Sequence, residues 1–294
     1  MIVSLMRQTL SLTAIFFCVC SVESAVGQPA PRYDITQIVA PFPGTTGTFA
    51  FGINDLGWIV GNYSTPGNSH GFVLKNGKYT SFDVQGATYT QPYAINIWGD
   101  IVGRWADSAG LITHGFILSN GRYTTIDVPM PGVYFTYPEA INALGDVVGW
   151  YMAADNVPHG FLWERHRFST IDYPAAGVTE TIASGINDLG QIVGIYNTSD
   201  GTHSFIKDGP RFRNVDGQPP SGVQFFANAI NDRDQIAGGS AVQQDGVFYP
   251  FTLPFPGLYA TNATGINDLD EIVGVYGTRG ATVFEGSFLL TPKR

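Results

Sequence analysis

Short runs of apolar, β-branched and aromatic residues alternate with turns rich in Gly, Asn and Pro from residue 33 onward. The segment 133–177 shows this pattern clearly. Its strand signals cover residues 136–141, 146–151, 159–163 and 168–172. No helical periodicity competes with these runs, so the segment predicts four antiparallel strands, named A to D in chain order.

The same pattern occurs six times, and each copy carries an Ile-Asn dipeptide at the end of strand A. The six asparagines are Asn54, Asn96, Asn142, Asn187, Asn231 and Asn267. The steps between them are 42, 46, 45, 44 and 36 residues. Four strands in about 45 residues are typical of one blade of a β-propeller. The sequence therefore predicts an all-β, six-bladed propeller with four-stranded blades.

The repeated phrase itself, as in Asn54-Asp55-Leu56-Gly57, predicts a tight A–B turn. The Asx side chain can bond the backbone, and the Gly can take a positive φ. Paired Asn and Asp residues also suggest calcium ligands. Because one phrase at six equivalent positions is what a scaffold turn requires, we interpret it as a turn and predict neither a metal nor a cofactor.

The end of the chain predicts how the ring closes. The last copy stops after strand C, at residues 287–290, and lacks strand D. Residues 36–44 match residues 124–132, which form strand D and its connector in the second copy. We therefore expect strand 35–40 to complete the last blade and remove two sheet edges. The predicted blades are 45–86, 87–132, 133–177, 178–222, 223–257 and 258–294 with 33–44, all within a single domain over 33–294.

Residues 1–27 resemble a secretory signal peptide. Arg7 precedes an apolar stretch at 9–22 that is too short to span a bilayer, and small residues lead to a cleavage site before Gln28. The alternative is a buried N-terminal helix. We predict a secreted or periplasmic protein with a short linker at 28–32. Both cysteines fall inside the signal segment, so the mature chain is expected to fold without disulfides.

The charge balance bears on the partners. The chain carries a formal charge of −9, and only 13% of its residues are charged. An acidic chain without a basic run repels phosphate, which disfavours nucleic acid and anionic membrane surfaces. We expect no membrane insertion after signal cleavage, and a monomer.

Four of the five histidines stand thirteen residues before an aspartate across the predicted C–D hairpin. The pairs are His70–Asp83, His114–Asp127, His159–Asp172 and His203–Asp216. Directly opposed residues of an antiparallel pair have Cβ atoms about 5 Å apart. A catalytic dyad is one interpretation, but four separated copies cannot share one substrate. We therefore predict four structural cross-strand pairs.

The fifth and sixth copies lose both partners together, which marks the two residues as a pair. Alignment assigns Gly246 and Leu253 to these positions in the fifth copy, and Gly286 and Val39 in the sixth. The fifth copy is about eight residues short of its neighbours. We expect its C–D hairpin to be clipped.

A variable position on strand A is the candidate ligand site. It lies three residues before each repeated Asn, between neighbours that are Gly or Ala in most copies. Its occupants are Phe51, Tyr93, Glu139, Ser184, Asn228 and Thr264. We predict that these side chains line the central channel and contact a ligand; the alternative is that they fill space between blades. The variable B–C loops offer a second candidate surface, because function tends to lie on loops that a rigid scaffold carries.

The phrase Gly-Ile-Asn-Asp-x-Gly-x-Ile-Val-Gly-x-Tyr, followed by His-Gly-Phe, resembles the repeats of the bacterial HAF-repeat family of extracellular proteins. The resemblance covers residues 33–294. The family's His-Ala-Phe reads His-Gly-Phe three times here and His203-Ser204-Phe205 once. The fifth and sixth copies depart by lacking the histidine. Membership implies an exported repeat protein and supplies no catalytic residues.

Three functions stay open at this point. The first is a binding module for an extracellular carbohydrate, peptide or protein. The second is an enzyme acting on a polysaccharide or a lactone, although glycoside cleavage needs two carboxylates and Glu139 is the one acid predicted in the channel. The third is a purely structural surface protein.

Overall fold

The structure is a computed structural model that describes residues 32–106, 112–279 and 284–293. These residues form twenty-four β-strands. The prediction of an all-β protein is confirmed. The strands fall in chain order into six antiparallel units, each with strands A to D.

The first three units form one continuous twelve-stranded sheet, because single parallel residue pairs join β4 to β6 and β8 to β10. Unit one consists of β2 (Gly47–Ile53), β3 (Ile59–Thr65), β4 (Asn68–Lys75) and β5 (Lys78–Phe82). Unit two consists of β6 (Tyr89–Ile95), β7 (Ile101–Ala106), β8 (Thr113–Ser119) and β9 (Arg122–Thr125). Unit three consists of β10 (Phe135–Ile141), β11 (Val147–Met152), β12 (Pro158–Glu164) and β13 (Arg167–Ile171).

The other three units are separate four-stranded sheets. Unit four consists of β14 (Glu180–Ile186), β15 (Ile192–Thr198), β16 (Gly201–Asp208) and β17 (Arg211–Asn214). Unit five consists of β18 (Ala229–Ile230), β19 (Ile236–Gly238), β20 (Ala241–Gln244) and β21 (Val247–Pro250). Unit six consists of β22 (Leu258–Ile266), β23 (Ile272–Thr278), β24 (Gly286–Pro292) and β1 (Tyr33–Ile38).

Strand β1 supplies the fourth strand of unit six from the opposite end of the described chain. It pairs antiparallel with β24, in a register from Tyr33 opposite Pro292 to Ile38 opposite Ser287. The predicted pairing of the N-terminal strand with the C-terminal strands is confirmed. Strand β22 in turn contacts β2, so the A strands follow one another in a closed circle.

The core lies between units. Six clusters of buried apolar residues occupy the six interfaces between neighbouring units, including the one between units six and one. Five units bury a phenylalanine from strand C opposite a strand B glycine, as Phe72 lies opposite Gly61. A Cβ at Gly61 would come within 1.9 Å of the Phe49 carbonyl oxygen, so only glycine permits this approach.

Unit five corrects the prediction of a clipped C–D hairpin. Strands β20 and β21 pair normally around the two-residue turn Asp245-Gly246. The missing residues come from the B–C hairpin instead: Gly238 pairs with Ala241, three residues on, whereas Gly194 pairs with Phe205, eleven residues on. Strands B and C therefore end before the histidine position is reached.

The same register corrects two assigned positions. Gly246 lies in the C–D turn, not opposite an aspartate position. In units one to four the aspartate lies two residues after the strand D residue that pairs with the strand C phenylalanine, as Asp127 follows Thr125, the partner of Phe116. In unit five Ala241 stands in the position of that phenylalanine and pairs with Pro250. That count places Thr252 in the aspartate position and leaves Leu253 in the core.

Candidate ligand-binding site

Adjacent antiparallel strands put successive turns at opposite ends of each unit. We call the end formed by the A–B and C–D turns the turn face. The end formed by the B–C hairpins and D–A connectors is the loop face.

A closed ring of six buried asparagines surrounds the channel on the turn face. Each side-chain amide donates to the main-chain carbonyl of the equivalent asparagine in the next unit, at 2.8–3.4 Å, and Asn267 donates to Asn54 across the junction of the chain ends. Each Oδ1 also accepts backbone N–H groups of its own turn, as Asn142 does from Leu144 and Asp146. The turn interpretation is thus right but incomplete, because the same side chain also joins neighbouring units.

The residue after each ring asparagine lies at the mouth of the channel. In four consecutive units it is an aspartate whose Oδ1 accepts the N–H of the preceding turn at 2.6–2.8 Å. These residues are Asp188, Asp232, Asp268 and Asp55, in order around the ring. In units two and three the position holds Ile97 and Ala143. The mouth therefore has an acidic sector and an apolar sector.

The next residue in each turn projects into solvent. Five of the six are large and apolar, with 52–77% of their surface exposed. They are Leu56, Trp98, Leu144, Leu189 and Leu269, which we call the apolar ring. Arg233 holds the sixth position and forms an ion pair with Asp270. A monomeric protein rarely keeps this much apolar surface in one place without a binding role.

The electrostatics of the mouth are unfavourable for the free protein. Burial raises the pKa of Asp55 and of Asp232, a backbone hydrogen bond to each opposes the shift, and the nearby aspartates reinforce it. Raised carboxyl pKa values mean that the folded protein holds these charges at a cost to its stability at neutral pH.

The six variable strand A residues line one cavity in the channel, below the ring. A β-bulge explains their orientation: in five units the A–B register skips this one residue, as at Glu139 between Pro138 and Ala140. A bulge leaves one residue unpaired and re-aims its side chain. The space available to the centre of a water molecule is about 70 Å³, which suits a few water molecules.

Several of these channel side chains already have partners. Phe51 and Tyr93 contact each other with ring centroids 5.1 Å apart. The Asn228 amide donates to Ala263 O at 2.8 Å, and the Thr264 hydroxyl donates to Ala50 O at 3.1 Å. The geometry therefore favours the space-filling interpretation, and a ligand role for these residues stays a prediction.

Glu139 is the most perturbed acid of the channel. Burial raises its pKa to about 7, although a hydrogen bond from Trp150 and the charge of Arg104 oppose the shift. Arg104 lies over the Tyr137 ring at 4.4 Å and donates to Gln91 at 2.7 Å. Glu139 is thus held by a polar and aromatic cluster between units two and three.

The four histidine–aspartate pairs meet across strands C and D on the loop face. The Nδ1 atoms lie 2.9, 2.6, 3.0 and 2.7 Å from the carboxylates of Asp83, Asp127, Asp172 and Asp216. Each imidazole also stacks on an aromatic residue of strand B, as His114 does on Trp105 with centroids 4.6 Å apart. In three units the other ring nitrogen contacts the B–C hairpin, through Thr65, Asp155 or Thr198.

Unit six shows what replaces the pair. Tyr276 lies opposite Gly286, and a Cβ at that glycine would come within 2.6 Å of the tyrosine hydroxyl. Gln37 of β1 donates to the same hydroxyl. An aromatic ring therefore covers the histidine position, and β1 supplies the polar partner.

The described residues, 32–106, 112–279 and 284–293, offer neither a metal site nor a membrane span of the following kinds. No group of three or more His, Cys, Asp or Glu among them is arranged to hold a metal ion. None of the structure's described segments is a helix with the length and hydropathy needed to cross a membrane.

No protein-family model matches the chain, and the comparison with curated proteins gives no match. Solved structures do match. The Hadza microbial sialidase Hz136 aligns at a TM-score of 0.53 with 9% identity, over 85% of this chain and 66% of that one. A gluconolactonase from Xanthomonas campestris aligns at 0.49 with 11% identity, over 90% and 99%. The fucose-specific lectin from Aleuria aurantia aligns at 0.40 with 13% identity, over 88% and 78%.

The protein has a β-propeller fold. Identities this low show the fold alone. Propellers serve lectins, other binding modules and enzymes, so the fold does not choose the function. The choice has to come from the surface chemistry of this chain.

The acidic sector and the apolar ring were not predicted from the sequence. The Asn-Asp-Leu-Gly phrase was interpreted as a scaffold turn, and a ligand was expected in the channel or on the variable loops. A signal was nevertheless present: a turn needs Asn and Gly, but it does not need a leucine at its tip. Leucine at an exposed turn position in four of six copies is a repeated exception to polar turn composition.

Proposed function

We propose that this protein is an exported six-bladed propeller, with four-stranded blades closed by β1, that acts as a binding module for a protein ligand. The ligand docks on the turn face. The observation that carries this proposal is the apolar ring, which holds five large exposed side chains around one channel mouth.

The rigidity of the turn face supports the proposal. The asparagine ring fixes every A–B turn to the next, so the exposed leucines are presented without a loop that must be ordered on binding. Preorganised side chains lose little conformational entropy when a partner covers them. The channel below offers less, because its space is small and its side chains contact one another.

Family, location and assembly are parts of the same proposal. The repeated Gly-Ile-Asn-Asp phrase and the four histidines support membership of the HAF-repeat family. The signal-like residues 1–27 support export, and these residues lie outside the described part of the chain. A monomer fits a turn face whose acidic sector would repel a second copy.

A random dodecapeptide display library, selected on the full chain, tests the binding function. We expect enriched peptides whose binding is lost in the double variant Leu144→Ser, Leu189→Ser. The matched control is Tyr259→Ser, because Tyr259 is as exposed as Leu144, at 77%, but belongs to the loop face. Peptides that lose binding only in the Tyr259 variant would contradict the proposal.

A glycan array on the same protein separates a carbohydrate ligand from a protein ligand. Sugar-binding sites combine hydrogen-bonding groups with an aromatic or apolar platform, whereas the ring offers mainly aliphatic tips. We expect no glycan whose binding responds to the double leucine variant. A glycan that responds to it would replace the protein ligand with a sugar.

Hydrolysis of a polysaccharide or a lactone is a second candidate, favoured by one observation. Glu139 is buried in the channel and its pKa is raised to about 7, which suits a general acid or base. Turnover that Glu139→Gln abolishes in a folded protein would support an enzyme. Glu139 already accepts a hydrogen bond from Trp150, and the space beside it is small, so the geometry favours the binding module over the enzyme.

A further inference from the structure

The four aspartates of the acidic sector form an unusual surface. Each uses Oδ1 to accept one backbone N–H, which fixes the carboxylate at the channel mouth. Within the described residues none of the four belongs to an ion pair. The second oxygen of each carboxylate is therefore left for solvent or for a ligand.

The cations of the turn face do not neutralise this sector. Arg233 holds the sixth exposed turn position beside the apolar ring; its charge favours the ionised form of Asp55, but its ion pair is with Asp270, outside the sector. Other cations of this face lie on the C–D hairpins, formed by the two outer strands of each unit. They include Lys75, Lys78, Arg122, Arg165, Arg167 and Arg211. The same hairpins also carry Glu164, Asp208 and Asp245, so the rim holds both charges around an acidic centre.

The acidic sector and the apolar ring together specify a partner. The carboxylates lie beside one another in units four, five, six and one, and the leucines and Trp98 stand around them. A group that enters the mouth must carry positive charge, and its neighbours must cover apolar surface. Mutual repulsion among the carboxylates would be relieved by such a cation.

We propose that the acidic sector binds the ammonium or guanidinium group of a lysine or arginine in a protein ligand, whose flanking apolar side chains cover the apolar ring. This inference rests on the proposed function and names the chemistry of the ligand. Complementary charge fixes the register of such a contact and excludes acidic partners.

Other occupants fit less well. A second copy of this chain would bring four carboxylates against four carboxylates. A bare metal ion lacks a suitable group of ligands among the described residues. Occupation of the turn face by the chain's own residues before Arg32 is one of the outcomes that the test distinguishes.

Peptides from the display selection are the probes. Each enriched peptide is synthesised with its central lysine or arginine, and again with norleucine or glutamate at that position. Dissociation constants are measured by fluorescence polarisation against the wild type and the double variant Asp188→Asn, Asp232→Asn. An asparagine keeps the Oδ1 acceptor of each turn and removes only the charge, so folding is expected to survive.

The matched control is Asp146→Asn, which removes one charge from the same face outside the sector. We expect norleucine to weaken binding at least tenfold, glutamate to abolish it, and the double aspartate variant to weaken it about tenfold. Asp146→Asn should change affinity less than twofold. Affinity for the cationic peptides should fall as salt rises.

The outcomes separate the two proposals. Peptides that need the leucines but bind equally with norleucine would overturn the cation site and leave the binding function standing. No enriched peptide would overturn both. A dimer mass in light scattering that the leucine variant abolishes would assign the face to a second copy. Protease protection of residues before Arg32 that the same variant abolishes would assign it to the chain itself.

Discussion

The turn face and the loop face use their repeated polar side chains in different ways. On the turn face each asparagine bonds to the next unit, so the set is complete only when all six are present. On the loop face each histidine bonds to an aspartate of its own unit, and units five and six do without the pair. The asparagine contacts that close the ring recur in every copy, whereas the histidine pairs, each within one unit, are absent from two copies.

The largest effect should come from breaking the ring at β1. Removing residues 28–44 leaves β24 with a free edge and takes Ile38 and Ala40 out of the core at the interface with unit one, which uncovers the apolar residues they pack against. We expect aggregation and loss of cooperative unfolding, measured by chemical denaturation and light scattering. A synthetic peptide of residues 33–44 should restore solubility. A truncated chain that unfolds like the intact one would refute the closure.

Breaking one link of the asparagine ring should rank second. Asn142→Ala removes the acceptor for two backbone N–H groups and the bond to unit four. Leaving two part-buried donors and the buried Asn187 carbonyl without this partner should lower the free energy of unfolding by about 3 kcal/mol. The control is Asn68→Ala at an exposed position of the loop face, which should change it by less than about 0.5 kcal/mol. Equal losses in the free energy of unfolding from the two changes would mean that the asparagine ring does not stabilise the fold.

A histidine pair should matter less, because it is half-exposed and local to its unit. His114→Ala should lower the free energy of unfolding by about 1 kcal/mol. Asp127→Ala should cost about 2 kcal/mol, since Gly115 N–H also loses its acceptor. The double variant should cost about 1 kcal/mol less than the sum of the single changes. Strictly additive costs would mean that the two side chains do not interact.

The pH dependence that the histidine pairs contribute should be the smallest of these effects. Hydrogen bonding to Asp216 raises the pKa of His203; for His159, burial opposes the charged form, but the bonds to Asp155 and Asp172 outweigh it and raise the pKa. Such a group stabilises the fold fully below the unfolded pKa of about 6.5 and loses that contribution as pH climbs through the folded pKa. The free energy of unfolding measured in urea should therefore fall slightly above neutral pH. The variant His159→Gln, His203→Gln should flatten this dependence; an unchanged slope would contradict it.

Much of the fold is readable from the sequence because each unit repeats its strand and turn signals. The spacing of the asparagines and the split last unit predict the six units and the role of β1. The constant separation of thirteen residues predicts the histidine pairs, because a two-residue turn fixes the register of a hairpin. The aromatic residue beneath each histidine follows from the same register, although it was not predicted.

Other features could not be predicted, for physical reasons. The spacing shows that unit five is short, but length alone does not say which hairpin lost residues; the Asp245-Gly246 dipeptide was the available hairpin signal. The sequence shows six asparagines, but not that each amide reaches the neighbouring unit, since that depends on how closely the A strands approach. The acidic sector likewise exists only once the ring brings distant turns together.

Hydroxyl-radical footprinting of the protein with a selected peptide tests the central claim most directly, because it compares the two faces in one experiment. We expect protection of Trp98, Leu144 and Leu189 on the turn face when the peptide binds. Exposed Met130 and Tyr259 on the loop face should react as in the free protein. Protection of Met130 and Tyr259, with the apolar ring unchanged, would move the binding site to the loop face and contradict the account.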